Sequence, residues 1–99
     1  MPSDKNKQAT ADKPWFVYIL RCADNSLYTG VALDINKRLA EHNGAEKNGA
    51  KYTLARRPVK LVYQEMSVTR SQACKREYAI KSLSKAEKEF LIIQARYSI

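Results

Sequence analysis

One apolar stretch followed by a turn constrains the fold of this chain more than any other feature. Residues 15–22 read WFVYILRC, and almost all are β-branched, aromatic or aliphatic, which favours a buried strand. Ala23–Ser26 supplies the turn, because Asp and Asn bond their own backbone and tolerate positive φ. Leu27–Val31 predicts a second strand. The sequence therefore indicates a β-hairpin here.

A helix is predicted directly after the hairpin. Asp34 is placed to cap its first turn, and Ile35 and Leu39 lie four residues apart on its apolar face. Asn43 followed by Gly44 is a typical stop.

The length of the hairpin loop decides whether Tyr18 and Tyr28 project from the same face of the sheet. A two-residue loop at Asn25 would put them on opposite faces, and a three-residue loop over Asp24–Ser26 puts both on one face. The two tyrosines could share a site only from one face, and on that condition we predict the odd-length loop or an equivalent bulge. It gives two cross-strand pairs: Cys22 with Tyr28, and Leu20 with Gly30.

The second half of the chain predicts a loop, a strand and two helices. Ala45–Arg57 is interpreted as a loop with a turn at Asn48–Gly49. Pro58 begins a third strand, in which alternation predicts one covered face and one partly wet face. The alternating apolar residues are Val59, Leu61 and Tyr63.

Two capping-box patterns open the last two helices. Thr69–Gln72 begins a helix that continues to about Leu83, and Ser84–Glu87 begins another. The last helix carries an apolar stripe that we predict to be core: Ala86, Phe90, Ile93 and Tyr97. The order ββαβαα predicts an α+β domain, with a three-stranded antiparallel sheet packed by three helices.

Charge favours a polyanionic partner. The chain has 18 Lys and Arg against 10 Asp and Glu, a net charge of +8. Residues 1–14 are predicted to be a disordered arm; they hold three Lys and two Asp, so the domain predicted over 15–99 keeps +7. Such an excess attracts nucleic acid first and anionic membrane second, although a solvated basic surface is the plainer alternative.

The two cysteines predict a reduced, cytoplasmic protein. Cys22 and Cys74 lie in segments patterned as core and are too few for a disulfide scaffold. No apolar run reaches the roughly 18 residues of a membrane span, and the N-terminal segment lacks the apolar region of a secretory signal. No membrane association is expected.

Four short patterns in a fixed order resemble the GIY-YIG endonuclease superfamily, in its small, single-domain form. Phe16–Tyr18 matches the first motif and Tyr28–Gly30 the second, with Phe-Val in place of Gly-Ile and Thr in place of Ile. Arg38 follows in RLAEH, which ends at His42, and Glu77 lies in CKREYAIKSL. The resemblance covers residue 15 to about residue 92. Many members carry an Asn after this Glu, whereas no Asn follows Asn48 here.

The resemblance implies a role for each matched residue. Tyr28 would be the general base, helped by a hydrogen bond from Tyr18. A phenol titrates near ~10, so this role needs positive charge nearby. Arg38 would bind phosphate, Glu77 would hold Mg²⁺ or Mn²⁺, and His42 would relay a proton or bind phosphate.

The residues by themselves leave alternatives open. Both tyrosines could be ordinary core residues, and Arg38 and His42 ordinary helix-surface residues. Glu77 shares a helix face with Ala73 and Ile80, and a carboxylate on an apolar face needs a partner. A metal ion, Lys81 or Arg38 would serve.

A basic run with one aromatic side chain lies between the first helix and the third strand. It suits the backbone of a nucleic acid, with Tyr52 placed to stack on an unpaired base, although such a run also occurs in solvated loops. Its members are Lys47, Lys51, Tyr52, Arg56, Arg57 and Lys60.

These features together predict a metal-dependent endonuclease that hydrolyses DNA phosphodiester bonds, in DNA repair or recombination, with branched or single-stranded DNA as candidate substrates. The alternative is a non-catalytic nucleic-acid-binding module with the same fold. The sequence predicts no oligomeric state.

Overall fold

The computed structural model describes residues 13–44 and 50–97. It contains one antiparallel sheet of three strands in the order β2-β1-β3, with β1 (Trp15–Arg21) between β2 (Leu27–Ala32) and β3 (Lys60–Ser67). Most of the predicted N-terminal arm, the turn at Asn48–Gly49 and Lys47 lie outside the described residues.

Four helices complete the described part of the domain: α1 (Ile35–His42), α2 (Lys51–Leu54), α3 (Arg70–Lys81) and α4 (Lys85–Arg96). The predicted α+β class and the antiparallel sheet are confirmed. The short α2 falls within a segment predicted to be a loop, so that prediction is wrong over residues 51–54.

Side chains cap the helices as the sequence predicts. Asp34 accepts a hydrogen bond from Lys37 N at 3.1 Å, and Thr69 accepts one from Gln72 N at 3.1 Å. Ser84 and Glu87 form a complete capping box at the start of α4. The last two helices therefore begin where their capping residues place them.

The sheet has a hydrophobic core on each face, because β1 is buried on both. Tyr18 and Leu20 face one core, which includes Ile35 of α1. Val17 and Ile19 face the other, which α3 and α4 close with Ala73, Ile80 and Ile92. Alternate residues of β1 therefore serve opposite cores, as the pleat requires.

The hairpin loop begins one residue earlier than predicted. Cys22 N donates to Ser26 O at 2.9 Å, so the three loop residues are Ala23–Asn25. Asn25 has φ of 70°, a left-handed conformation that Asn tolerates better than most residues. The predicted register is therefore wrong by two residues: Leu20 pairs with Tyr28, and Tyr18 pairs with Gly30.

The third strand departs from strict alternation. Its partner positions on β1 shift between Ile19, which pairs with Tyr63, and Leu20, which pairs with Leu61. Val62 is the extra residue of this irregularity, so Leu61 and Tyr63 pack into different cores. The prediction of one shared apolar face for Val59, Leu61 and Tyr63 is wrong for this reason.

The predicted core stripe of the last helix faces solvent instead. Phe90 is 61% exposed, Ile93 48% and Tyr97 81%, whereas Ile92 is 3% exposed. A helix turns by roughly 100° per residue, so Ile92 lies about 200° around the axis from Phe90. The helix docks through Ile92 and half-buried Leu91, and the prediction for Ala86, Phe90, Ile93 and Tyr97 is wrong.

Both cysteines are free. Cys22 is buried as predicted, and Cys74 is only half-buried. The cytoplasmic location inferred from them stays a prediction.

Candidate active site

The two tyrosines of the motifs project from the same face of the sheet. The loop has three residues as predicted, although it begins one residue earlier. The register therefore differs by two residues, which leaves Tyr18 and Tyr28 on the same face. Their ring centroids lie 6.4 Å apart. The shared-face prediction is therefore confirmed, although the predicted cross-strand pairs are not.

Tyr18 crosses the neighbouring strand at Gly30. A Cβ atom on Gly30 would lie 2.6 Å from Tyr18 Oη and 2.8 Å from its Cζ. Only a residue without a side chain leaves room for the phenol, which accounts for glycine at the end of the second motif. The hydroxyl then reaches His42, with 2.9 Å between Oη and Nε2.

Tyr18 is enclosed, and its surroundings control its ionisation. The residue is 1% exposed. Burial raises the pKa of Tyr18 from 10.0 to about 12, against the hydrogen bond that Arg38 donates to it, which lowers the pKa. Tyr28 and Glu77 raise it further through their charge. The phenol is therefore neutral at pH 7 in the free protein.

His42, the last residue of α1, lies beneath the site. It is fully buried, its Nε2 faces Tyr18, and its Nδ1 lies 2.9 Å from Thr53 Oγ1. Burial, followed by the positive charge of Arg38, lowers the pKa of His42 from 6.5 to about 4. A neutral ring with both nitrogens engaged fits a supporting role better than the direct phosphate contact predicted as one of its roles.

Tyr28 is the more accessible phenol of the two. The residue is half-buried, and its ring lies 5.1 Å from the His42 ring and 5.9 Å from the Tyr52 ring between centroids. Its ring thus covers the buried Tyr18–His42 pair and borders the basic segment.

Arg38 lies one helical turn before His42 and is held on two sides. Its Nη1 donates to Glu41 Oε1 at 2.8 Å, and it also donates to the Tyr18 hydroxyl. The side chain is 29% exposed and that of Glu41 11%. An oriented, partly exposed guanidinium has the geometry that binding of phosphate oxygens requires.

Glu77 of α3 completes the constellation from a different element. Its side chain is 22% exposed, and Lys81 Nζ lies 3.0 Å from its Oε2. Its negative charge is near enough to Tyr18 to raise the pKa of that phenol. Lys81, one of the partners considered from the sequence, therefore lies at the carboxylate.

The donor set around Glu77 fits a Mg²⁺ ion that is shared with a substrate. In residues 13–44 and 50–97, no group of three or more His, Cys, Asp or Glu side chains could hold a metal ion. Mg²⁺ commonly binds through one or two carboxylates, substrate phosphate oxygens and water, so a single carboxylate is sufficient. It would compete with Lys81 for that carboxylate.

The basic segment divides into two kinds of residue. Arg56 packs 4.0 Å from the centroid of the Tyr52 ring and bonds Asp24 Oδ2 at 3.1 Å, and Arg57 Nε donates to His42 O at 3.0 Å. Both arginines therefore help to hold α2 against the hairpin and α1. Lys51 and Lys60 are exposed at the surface.

Tyr52 already has aromatic and cationic neighbours. Its ring stacks on Tyr28, Arg56 covers the ring, and the residue is 38% exposed. Base stacking by Tyr52 stays a prediction, and it would compete with these contacts.

Two residues of the site were missed by sequence reasoning. Glu41 orients Arg38, and its position three residues later on the same helix was a usable signal. Thr53 contacts His42 from a segment 11 residues further along the chain, and no local pattern indicates that contact.

The family is decided by a comparison with known domains. Residues 14–90 match the model of the GIY-YIG catalytic domain. The chain belongs to the GIY-YIG family. The predicted resemblance is thereby confirmed.

This GIY-YIG chain is similar to UPF0213 proteins at more than half of the aligned positions. It is 56% identical over 82 residues to a UPF0213 protein of Desulfotalea psychrophila, covering 82% of this chain and 74% of that one. It is 57% identical over 77 residues to a UPF0213 protein of Staphylococcus saprophyticus, covering 78% and 92%.

Two solution NMR structures share its fold. A UPF0213 protein of Bacillus halodurans is 40% identical, with a TM-score of 0.53 and coverage of 82% of this chain and 84% of that one. A protein of E. faecalis is 39% identical, with a TM-score of 0.60 and coverage of 89% and 92%. Among the described residues, no helix has the length and apolarity needed to cross a membrane.

Proposed function

We propose that this GIY-YIG domain is a divalent-metal-dependent endonuclease that hydrolyses DNA phosphodiester bonds. The observation that carries the proposal is the convergence of Arg38, Glu77 and Tyr28 on the buried Tyr18–His42 pair. The family match to a catalytic domain supports the same class of reaction.

Arg38 would bind the scissile phosphate. Glu41 and Tyr18 fix the direction of its guanidinium, and its permanent charge opposes the negative charge that develops on the phosphate oxygens. Loss of one such stabilising group typically lowers the rate by ~10²–10³-fold. We expect a decrease of that order for Arg38→Ala.

Tyr28 would be the general base. The oxygen of a water molecule would form the new bond to phosphorus as the bond to the leaving sugar oxygen breaks with its electron pair on that oxygen, and Tyr28 Oη would accept the proton of the water. Of the two phenols, Tyr28 can meet water, since Tyr18 is 1% exposed. Tyr18 would then be a positioning residue that holds Arg38 and His42.

Glu77 would hold Mg²⁺ or Mn²⁺ beside the phosphate. When bound, the ion would neutralise charge on the phosphate and the leaving oxygen. The carboxylate suits this role because it projects from α3 near enough to Tyr18 for its charge to act on that phenol. Substrate phosphate would supply the further oxygen ligands.

Exposed Lys51 and Lys60, with the net charge of +8, would guide DNA to the site. Contacts of this kind read the backbone more than the bases, so we propose recognition of DNA shape, with branched or single-stranded DNA as the substrate. Repair or recombination is the setting that we propose for such a substrate.

A pair of matched Glu→Gln variants tests the proposal. Glu77→Gln keeps the size of the side chain and removes its charge, and it should abolish Mg²⁺-dependent cleavage while DNA binding stays nearly intact. Glu87→Gln is the control, because Gln also serves in a capping box. Cleavage by Glu77→Gln at the wild-type rate would contradict the assignment.

A non-catalytic DNA-binding module is the second candidate. The 3.0 Å pair between Glu77 and Lys81 favours it, since Lys81 balances the charge of the carboxylate. Wild-type protein with Mg²⁺ or Mn²⁺ and duplex, single-stranded or branched DNA distinguishes the two. Binding that weakens steeply with salt while the DNA stays intact would identify the module.

A further inference from the structure

A chain of three hydrogen bonds runs from α2 to the centre of the site. Thr53 Oγ1 donates to Ala50 O at 2.9 Å, Thr53 Oγ1 and His42 Nδ1 are 2.9 Å apart, and His42 Nε2 and Tyr18 Oη are 2.9 Å apart. The side chains of this chain are closed to solvent, with Thr53 and His42 fully buried and Tyr18 1% exposed. Each hydroxyl or ring hydrogen of these side chains must therefore find its acceptor among protein atoms.

The placement of these protons follows from the donors and acceptors. A threonine hydroxyl carries one hydrogen, and here that hydrogen goes to Ala50 O, a carbonyl that can only accept. The Thr53 oxygen must then accept from His42, so the ring proton lies on Nδ1. In a neutral imidazole the other nitrogen is an acceptor, so Tyr18 donates its proton to Nε2.

The opposite assignment satisfies fewer groups. If Nε2 carried the proton and donated to Tyr18, the phenol would need a different acceptor for its own hydrogen. Its other hydrogen-bonding neighbour among the described residues is Arg38, which can only donate. A buried donor without an acceptor loses its hydrogen bonds to water and gains none in the protein, which favours the first assignment.

We propose that Thr53 is a positioning residue of the site, which fixes His42 as the Nδ1–H tautomer so that the Tyr18 oxygen presents lone pairs to Arg38. The direction of the Arg38 guanidinium then depends on the Thr53 hydroxyl, to which it is linked by three hydrogen bonds through Tyr18 and His42. The tautomer is inferred from the three hydrogen bonds alone, whereas its importance for cleavage rests on the proposed function.

The single histidine of the sequence makes the tautomer directly measurable. Long-range ¹H–¹⁵N NMR of the wild-type protein at pH 7 separates the protonated ring nitrogen from the bare one. We expect the proton on Nδ1. A wild-type spectrum with the proton on Nε2, or with the two tautomers averaged, would overturn the proposal without the need for any variant.

Two variants test whether Thr53 is the cause. Thr53→Val has nearly the same shape and lacks the acceptor, so the Nδ1–H tautomer should no longer dominate; Thr53→Ser restores the hydroxyl and should restore the spectrum. An unchanged ring spectrum in folded Thr53→Val would overturn the proposal. If the valine variant does not fold, the wild-type and serine spectra still decide the tautomer.

Cleavage assays separate this proposal from the proposed function. With an active wild type, Thr53→Val should cleave DNA about 10–100-fold more slowly, as is typical when a residue that orients a side chain of the site is lost. Thr53→Ser should recover the rate at equal DNA affinity. An unchanged rate in a Thr53→Val protein with an altered tautomer would overturn the positioning role. An inactive wild type with the expected spectra would contradict the proposed function and leave the tautomer assignment supported.

Discussion

Replacement of Gly30 by Ala tests the packing on which the site depends. The new methyl group would lie 2.6 Å from Tyr18 Oη, 2.8 Å from Tyr18 Cζ and 3.1 Å from Tyr28 Cε2. These separations are well below van der Waals contact, and both rings are packed against His42. Tyr18 must therefore move, and its 2.9 Å contact with His42 must change.

The expected magnitude is the difference of two effects. Overpacking of a core costs about 1–3 kcal/mol. Gly30 carries no positive φ, so alanine can adopt its backbone conformation. Alanine also lowers the conformational entropy of the unfolded chain, which stabilises the protein by about 0.4–1 kcal/mol. The free energy of unfolding should thus decrease by about 0.5–2 kcal/mol, and DNA cleavage should decrease in the protein that remains folded.

Urea denaturation in two backgrounds measures the contact itself. Tyr18→Leu removes both Tyr18 atoms that the methyl group would meet, so Gly30→Ala should be neutral or stabilising in that background. The coupling free energy should be about 1–3 kcal/mol. An equal effect of Gly30→Ala in both backgrounds would refute the close crossing of Tyr18 over Gly30.

Three further predictions concern stability. Thr29 Oγ1 is buried with no hydrogen-bond partner among the described residues, so Thr29→Val should stabilise the protein by about 1 kcal/mol in urea denaturation. Thr53→Val should destabilise it, because the Thr53 hydroxyl is hydrogen-bonded. A loss of stability in Thr29→Val would contradict the first of these predictions. The pKa of His42 is about 4 when folded and near 6.5 when unfolded, so its contribution to stability is present above pH 6.5 and is lost as the pH falls towards 4. Denaturation midpoints should show this decrease in wild type and not in His42→Gln, and equal pH profiles would contradict it.

The sequence predicted local features of the fold well, because neighbouring residues determine them. The cap at Asp34 and the capping box at Ser84 are set within a few residues. The odd length of the hairpin loop was predicted from the requirement that Tyr18 and Tyr28 share one face of the sheet, and the structure has it. The start of the loop was not predicted, since it depends on the residue that adopts the left-handed conformation, which is Asn25.

Long-range packing could not be predicted in the same way. Periodicity in the last helix identified an apolar stripe, but the Leu91–Ile93 run offers a second apolar side, and packing on the sheet selects Ile92. The bulge at Val62 likewise depends on pairing with β1.

In the candidate site, too, local patterns were predictable and long-range contacts were not. Motif spacing identified Tyr18, Tyr28 and Arg38, which lie on one hairpin and the helix after it. Thr53 joins them only through the tertiary contact with His42, so no pattern along the chain could indicate it.

Paramagnetic broadening by Mn²⁺ tests most directly whether a tyrosine pair, an arginine and a distant carboxylate form one metal-assisted site. The NMR sample would contain the protein and a DNA oligonucleotide that resists cleavage. We predict that signals of Glu77, Tyr28 and Arg38 broaden first, and that Glu77→Gln removes the effect. Broadening centred elsewhere, or unchanged in Glu77→Gln, would contradict the account.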